Sequence, residues 1–136
     1  MKRREFIAVG AAALLVPGLV QAKAMEYKPG LVTKELKAGK IVFLDFTASW
    51  CSTCGAQARV LDALKSESPA YAKEVAFIDV DWDTYKGAEL TESLKIPRRS
   101  TLVVLKGDKE LGRIVAGTSR SDIKNLMDVA LQASVA

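Results

Sequence analysis

Residues 41–54 read IVFLDFTASWCSTC, an apolar run that leads directly into the only two cysteines of the chain. The β-branched and aromatic residues of this run predict a buried strand. From Gly55 to about Lys65 the apolar positions recur at helical spacing, which predicts a helix that begins at the cysteines. Because residues three apart share a face on a first helical turn, Cys51 and Cys54 are spaced to open and close a small disulfide ring.

Cys51 is predicted to lie at the N-terminus of that helix. Unsatisfied backbone N–H groups and the positive end of the helix dipole favour a thiolate there, so the pKa of Cys51 should fall below that of an ordinary cysteine. Cys51 is therefore the candidate attacking sulfur. Cys54, one turn inside the helix, is the candidate resolving sulfur that displaces the substrate from a mixed disulfide.

The N-terminal segment 1–24 predicts a cleaved export signal. Its weakly apolar stretch 6–20 is too short for a bilayer core of ~30 Å, which needs about 20 residues, and small residues allow cleavage after Ala22 or Ala24. The sequence 3–7, RREFI, resembles the twin-arginine export motif, and a general secretory signal with two arginines is the alternative. An uncleaved signal that acts as an anchor is a second alternative. Either export route predicts a location outside the bacterial cytoplasm, such as the periplasm.

The charge balance gives no argument for nucleic acid. The full chain carries 20 basic and 16 acidic residues, but four of the basic ones and one acidic one lie in segment 1–24. The remaining residues 25–136 have a net charge of +1 and are enough for one domain with a core. The chain has no histidine, which excludes Ser-His and Cys-His nucleophilic catalysis and leaves a zinc site short of ligands. Membrane contact is expected only through the signal.

The periodicity along the chain predicts an α/β domain with a four-stranded mixed sheet and helices on both faces. Gln57 and Lys65 fall on the polar side of the cysteine helix, where solvent is expected. The predicted elements are helix 31–38, strand 41–48, helix 51–65, strand 75–81, helix 87–94, the hairpin strands 101–105 and 111–115, and a helix that begins at Ser121.

Together these features resemble the thioredoxin family over residues 30–131. The residues that carry the resemblance are Asp45-Phe46, the motif Trp50-Cys51-Ser52-Thr53-Cys54, the strand from Thr101 with its Lys106-Gly107 turn, and Gly117 before the last helix. The resemblance implies a thioredoxin fold, thiol–disulfide exchange with protein substrates, and no cofactor beyond the redox-active Cys51–Cys54 disulfide.

Asp45 is the candidate base for Cys54. In the family the matching acid is buried beneath the second cysteine and relays its proton, and a carboxyl in an apolar site has a raised pKa. The alternative is a strand acid satisfied by hydrogen bonds alone. Many relatives pair this acid with a lysine from the next strand, whose position here corresponds to Phe77. Without that cation, Asp45 is expected to titrate higher still.

The family places a cis-proline before the hairpin, facing the cysteines, and this chain departs from that pattern. The hairpin register puts Ser100 there, and a longer loop would instead put Pro97 there. A cis bond before serine costs ~3 kcal/mol, so a trans bond is expected and the sulfurs should be less shielded. The residues assigned to substrate docking are Trp50, Arg99, Ser100 and Thr101. Arg98 and Arg99 suit an acidic substrate or partner, or form a solvated basic loop.

The function that these residues favour is an exported thiol–disulfide oxidoreductase. Since Ser52 and Thr53 add no charge beside the thiolate, a reductase or mid-potential exchanger is favoured over a strong oxidant. An exported reductase also implies an electron donor in the inner membrane. Two alternatives stay open: a non-catalytic binding module with a structural disulfide, and a copper or other metal carrier that uses the two thiolates.

Overall fold

The computed structural model describes residues 23–135 and arranges them as a sheet with helices on both sides. The strands are β1 (Met25–Glu26), β2 (Ile41–Thr47), β3 (Val75–Asp81), β4 (Thr101–Lys106) and β5 (Lys109–Val115). The helices are α1 (Leu31–Lys37), α2 (Ser52–Glu67), α3 (Ala70–Glu74), α4 (Trp82–Tyr85), α5 (Glu89–Ser93) and α6 (Arg120–Ser134).

The sheet has five strands in the order β1-β3-β2-β4-β5, so the prediction of four strands was one short. The additional strand is β1, which runs parallel to β3 with Met25 opposite Ile78. Two residues are too few to show an alternating pattern, which is why β1 was not recognised. The predicted parallel pairing of β2 with β3 and the antiparallel β4–β5 hairpin are confirmed.

The central strand β2 divides the core into two layers because its side chains alternate between the faces. Ile41 and Phe43 pack with residues of α2, α3 and α6. Val42, Leu44 and Phe46 pack on the opposite face, against α1 and partly buried residues of α4 and α5. Asp45 continues the alternation of Ile41 and Phe43. The carboxyl is therefore carried on the face that α2 covers.

Helix boundaries differ from the prediction at three places. The short helix α3 follows Pro69 where no helix was predicted, and the segment 82–93 forms two short helices separated by a turn. The last helix is capped by Ser119, whose Oγ accepts the Asp122 N–H at 3.3 Å, so Ser121 is not the cap.

Residues 1–22 of the predicted export signal 1–24 lie outside the residues that the structure describes. Of the helices in residues 23–135, none has the length and apolar character needed to cross a membrane.

Candidate active site

Cys51 caps the N-terminus of α2, as the sequence predicted. Its backbone is extended, with φ −96° and ψ 113°, and its Sγ accepts the backbone N–H of Cys54 at 3.2 Å. The strand β2 ends four residues earlier, so a short loop delivers the sulfur to the end of the helix. A thiolate at this position receives an orphan N–H and the favourable end of the helix dipole.

Both sulfurs are largely shielded from solvent. Cys51 is 7% exposed and Cys54 is 1% exposed, and Ala48 and the partly buried Trp82 pack against them. Ser100 itself closes the site, and the expectation that the sulfurs are less shielded than in an ordinary thioredoxin stays a prediction. The Ser100 side chain is fully buried against the two cysteines.

Ser100, and not the exposed Pro97, lies against the sulfurs, and no cis peptide bond occurs in residues 23–135. The backbone of Ser100 is left-handed, with φ 65°. Its N–H donates to the Phe46 carbonyl at 2.6 Å, and its own carbonyl accepts the N–H of Ala116 at 2.8 Å. These bonds hold a conformation that costs a non-glycine residue ~1–2 kcal/mol.

Gln57 completes this support, although it was expected to face solvent. It is fully buried, and its Nε2 donates to the Ser100 carbonyl at 3.0 Å and to the Gly117 carbonyl at 2.8 Å. A polar residue on a helix is buried at this site because loop carbonyls need its two amide protons. Helical periodicity alone cannot reveal such partners.

The pKa of Cys51 is lowered to about 6. Burial raises it, but the hydrogen bonds that Cys51 receives from Cys54, Ser100 and Arg99 outweigh the burial. A positive charge beside the thiolate was not predicted, because Arg99 lies 48 positions further along the chain. At neutral pH Cys51 is therefore mainly a thiolate, the form that attacks disulfides.

An ordered surface borders Cys51. Trp50 is 58% exposed, its Nε1 donates to Asp83 Oδ2 at 2.8 Å, and the Arg99 guanidinium lies 4.7 Å above its ring centre. Arg98 Nε donates to the Arg99 carbonyl at 2.9 Å. Thr101 is fully buried and donates its hydroxyl to the Arg98 carbonyl at 2.7 Å, so its side chain supports this loop from beneath.

Asp45 is buried at 6% exposure, and its Oδ1 has no hydrogen-bond partner among the described residues. Burial, reinforced by Asp79, raises its pKa to about 8. The hydrogen bond of the Cys54 sulfur goes to Ser100, and none to Asp45 is found. A cleft of about 340 Å³ reaches Asp45 from solvent and is also lined by Asp62, Lys65 and Asp79.

Lys65 supplies a cation near Asp45, although Phe77 stands at the position where many relatives have a lysine. Lys65 is buried on α2, and its Nζ lies 4.1 Å from the centre of the Phe77 ring. Its charge lowers the pKa of Asp45 against the larger effects of burial and Asp79. The expectation that Asp45 lacks a nearby cation was therefore wrong. The chain places a lysine on the helix where the family pattern places one on the strand.

No group of three or more His, Cys, Asp or Glu side chains suited to hold a metal ion lies within residues 23–135.

Sequence comparison identifies relatives among the thioredoxins. The family model described as Thioredoxin matches residues 24–129. An H-type thioredoxin of Fagopyrum esculentum is 38% identical over 60% of this chain and 66% of its own length. One from Oryza sativa subsp. indica is 33% identical over 69% of this chain and 71% of its own. The match thus spans about two thirds of these plant proteins.

Solved structures of thioredoxins also match this chain. Trxlp of Edwardsiella tarda is 28% identical and matches with a TM-score of 0.66, covering 76% of this chain and 98% of that one. The germline-specific thioredoxin Deadhead of Drosophila melanogaster is 25% identical, with a TM-score of 0.62 and coverage of 78% and 97%. The predicted thioredoxin fold is confirmed. The chain belongs to the thioredoxin family, whose members are thiol–disulfide oxidoreductases that work through an active-site dithiol without a further cofactor.

Proposed function

We propose that this protein is an exported reductase or mid-potential exchanger of protein disulfides, with Cys51 as the nucleophile and Cys54 as the resolving thiol. The observation that carries the proposal is the hydrogen-bonded Cys51 sulfur at the start of α2, with a pKa of about 6. Cys51 attacks a substrate disulfide, one substrate sulfur leaves as a thiolate, and Cys54 then displaces the other. Oxidation of the Cys51–Cys54 pair thus reduces the substrate.

The acidity of Cys51 supports an intermediate potential. Reducing members of this fold have a nucleophile pKa of ~7 and the strongest oxidant has one of ~3.5, because a more stable thiolate makes the pair easier to reduce. A value of about 6 lies nearer the reducing end.

Insulin reduction with dithiothreitol tests the exchange activity, and equilibration with glutathione tests its direction. We expect turnover by the wild type and a potential between about −270 and −120 mV, nearer the former. The Cys51→Ser variant serves as the inactive control. Absence of turnover in the wild type would favour the binding module with a structural disulfide, and a potential near −120 mV would contradict a reductase.

Asp45 is proposed as the group that takes and returns the Cys54 proton. A carboxyl with a pKa of about 8 is poised near neutrality, as proton transfer at the working pH requires. The cleft past Lys65 and Asp79 gives water a route to it. The proton would travel through water, since Asp45 and Cys54 share no direct hydrogen bond.

Trp50 and Arg99 are proposed to meet the substrate beside Cys51. The exposed ring offers apolar contact, and the guanidinium fixed above it offers a positive charge. These features support substrates with an acidic residue next to the disulfide. Paired model peptides that differ by Glu and Lys at that position would test this, with faster reduction of the Glu peptide as the expected result.

Export is proposed from the sequence of residues 1–24. An exported reductase needs electrons from the cytoplasm, so an inner-membrane dithiol donor is proposed as its partner.

The packing of Ala24 against the core and the pairing of β1 favour cleavage after Ala22, since the later site would remove Ala24. Replacing Arg3 and Arg4 by lysine would block a twin-arginine route and leave general secretion intact. Cell fractionation distinguishes the two, and retention of the wild type in the cytoplasm would refute export.

A further inference from the structure

One side-chain hydroxyl lies within hydrogen-bond distance of both cysteine sulfurs. Ser100 Oγ is 3.2 Å from Cys51 Sγ and 3.0 Å from Cys54 Sγ. At the corresponding position the family pattern has a proline, which offers no hydroxyl. A proline could not make these two contacts, so they reflect the serine that this chain has at position 100.

Counting protons fixes the direction of both hydrogen bonds. A thiolate has no proton to give, so the Ser100 hydroxyl donates to Cys51 when that sulfur is ionised. A hydroxyl has a single proton, so its contact with Cys54 is a hydrogen bond only if the Cys54 thiol donates to it. When Cys51 is ionised, the result is a chain that runs from the Cys54 S–H through the Ser100 O–H to the Cys51 thiolate, alongside the direct interaction of the Cys54 thiol with that thiolate.

We propose that Ser100 is a catalytic residue whose hydroxyl joins the two sulfurs of the reduced dithiol in one hydrogen-bonded chain. This inference rests on the proposed exchange function and adds a chemical role for Ser100 to it. The hydroxyl stabilises the Cys51 thiolate and holds the thiol of Cys54 beside it. Ser100 is fully buried, so in this state its side chain serves the cysteines and not a docked substrate.

The support around Ser100 suits a preorganised donor. Three hydrogen bonds fix its backbone: its N–H to Phe46, and its carbonyl from Ala116 and from the Gln57 side chain. A left-handed serine persists only where its surroundings enforce it. Because these bonds already hold Ser100 in place before the reaction, its hydroxyl does not have to move to stabilise a negative charge on the Cys51 sulfur.

The reaction cycle uses the hydroxyl only in the reduced protein. The Cys51 thiolate bonds to one substrate sulfur, and the other substrate sulfur leaves with the electron pair and takes a proton from water. Cys54 then bonds to Cys51, and the first substrate sulfur leaves with its electron pair and takes the proton that Cys54 gave up. The substrate gains two electrons and two protons, and the dithiol becomes a disulfide that has neither the thiolate nor the S–H of the chain.

A contact present only in the reduced form shifts the redox equilibrium. Its removal should destabilise the thiolate and leave the disulfide unchanged. In Ser100→Ala we expect the Cys51 pKa to rise by about one unit and the equilibrium constant with glutathione, measured at about pH 8, to change about tenfold toward the disulfide, or ~30 mV.

Two variants separate the hydroxyl from the backbone strain. Ser100→Ala removes the hydroxyl and keeps the cost of a left-handed side chain, whereas Ser100→Gly removes both. The two should differ in unfolding free energy and agree in Cys51 pKa and in potential. Thiolate absorbance near 240 nm against pH gives the pKa. Thr91→Val, which removes a buried hydroxyl bonded to the Tyr85 carbonyl, serves as the control and should match the wild type.

The outcomes are distinguishable. Equal shifts in both Ser100 variants, with none in Thr91→Val, support the proposal. An unchanged pKa and potential in either Ser100 variant overturn it, even if insulin is still reduced, as does an equal shift in Thr91→Val. If the wild type itself fails to reduce insulin, the proposed function is what fails.

Discussion

Two acidic side chains of the active site, Cys51 and Asp45, expose almost the same small fraction of their surface, but their pKa values are shifted in opposite directions. Their exposures are 7% and 6%, yet the pKa of Cys51 falls to about 6 and that of Asp45 rises to about 8. Burial raises both values. The difference has two sources: Asp45 lies much deeper in the protein than Cys51, and several donors surround Cys51 while Asp45 Oδ1 has no partner among residues 23–135.

This contrast inverts the usual order of acidity. At pH 7 the thiol is mainly ionised and the carboxyl is mainly protonated, whereas in water the carboxyl is far more acidic. Donors directed at the Cys51 sulfur thus outweigh its desolvation, whereas the deeper Asp45 carboxyl, whose Oδ1 has no donor, keeps its proton. At pH 7 the site holds a thiolate nucleophile near a carboxyl whose ionised minority form can accept the Cys54 proton. Each prediction below tests one side of this difference.

The largest effect is expected from removing the nucleophile. Cys51→Ser should lower disulfide exchange by on the order of 10³-fold or more, because a serine hydroxyl does not ionise at neutral pH. Cys54→Ser retains the thiolate and should accumulate a mixed disulfide with a chromogenic aryl disulfide. Absorbance and mass spectrometry measure both results. Mixed-disulfide trapping in Cys51→Ser instead would reverse the two roles.

The next effect concerns stability and its dependence on pH. The folded-state pKa of Asp45 is raised, so its contribution is full below its unfolded pKa and is lost as pH rises toward 8. Asp45→Asn cannot ionise and should therefore be more stable than the wild type by on the order of 5 kcal/mol at pH 9, with little difference at pH 4.

Urea unfolding of the oxidised proteins measures this difference without interference from Cys51 titration. The exposed Asp108, substituted in the same way, is the control and should show a much smaller change. A gain for Asp45→Asn that is equal at pH 4 and pH 9 would contradict a raised carboxyl pKa.

A smaller effect is expected from the cation beside Asp45. Lys65→Met keeps an apolar stem over Phe77 and removes the charge, so the Asp45 pKa should rise further, by about one unit. Carboxyl ¹³C shifts against pH measure the change, with the exposed Lys73→Met as the matched control. An unchanged Asp45 midpoint would show that Lys65 does not act on this group.

The smallest effect is expected from Arg99, because its guanidinium is partly exposed and salt screens it. Arg99→Gln should slow alkylation by anionic iodoacetate about threefold more than alkylation by neutral iodoacetamide. The exposed Arg59→Gln is the matched control. Equal slowing with both reagents would indicate that Arg99 acts on the Cys51 pKa alone and does not attract anions.

Predictions from local patterns succeeded where the structure depends on residues close together in the sequence. The strand before Cys51, the helix after it and the hairpin around Gly107 each follow from residues within about ten positions of one another, and the structure has all three. The assignments of Gln57 and Lys65 to a solvent-facing side failed. Their partners are loop carbonyls, buried acids and an aromatic ring from distant segments.

The amino-acid sequence by itself determined the position of Cys51 at a helix N-terminus, the placement of an acid within the strand that leads to it, and the family. Only the tertiary structure decided which side chains reach those groups. Ser100 lies 49 positions from Cys51. The lysine near Asp45 is Lys65 of helix α2, whereas the family pattern has this lysine on a strand. The physical reason is that helix and strand periods arise between near neighbours, whereas hydrogen bonding and burial, which set the two opposite pKa values, depend on packing between segments far apart in the chain.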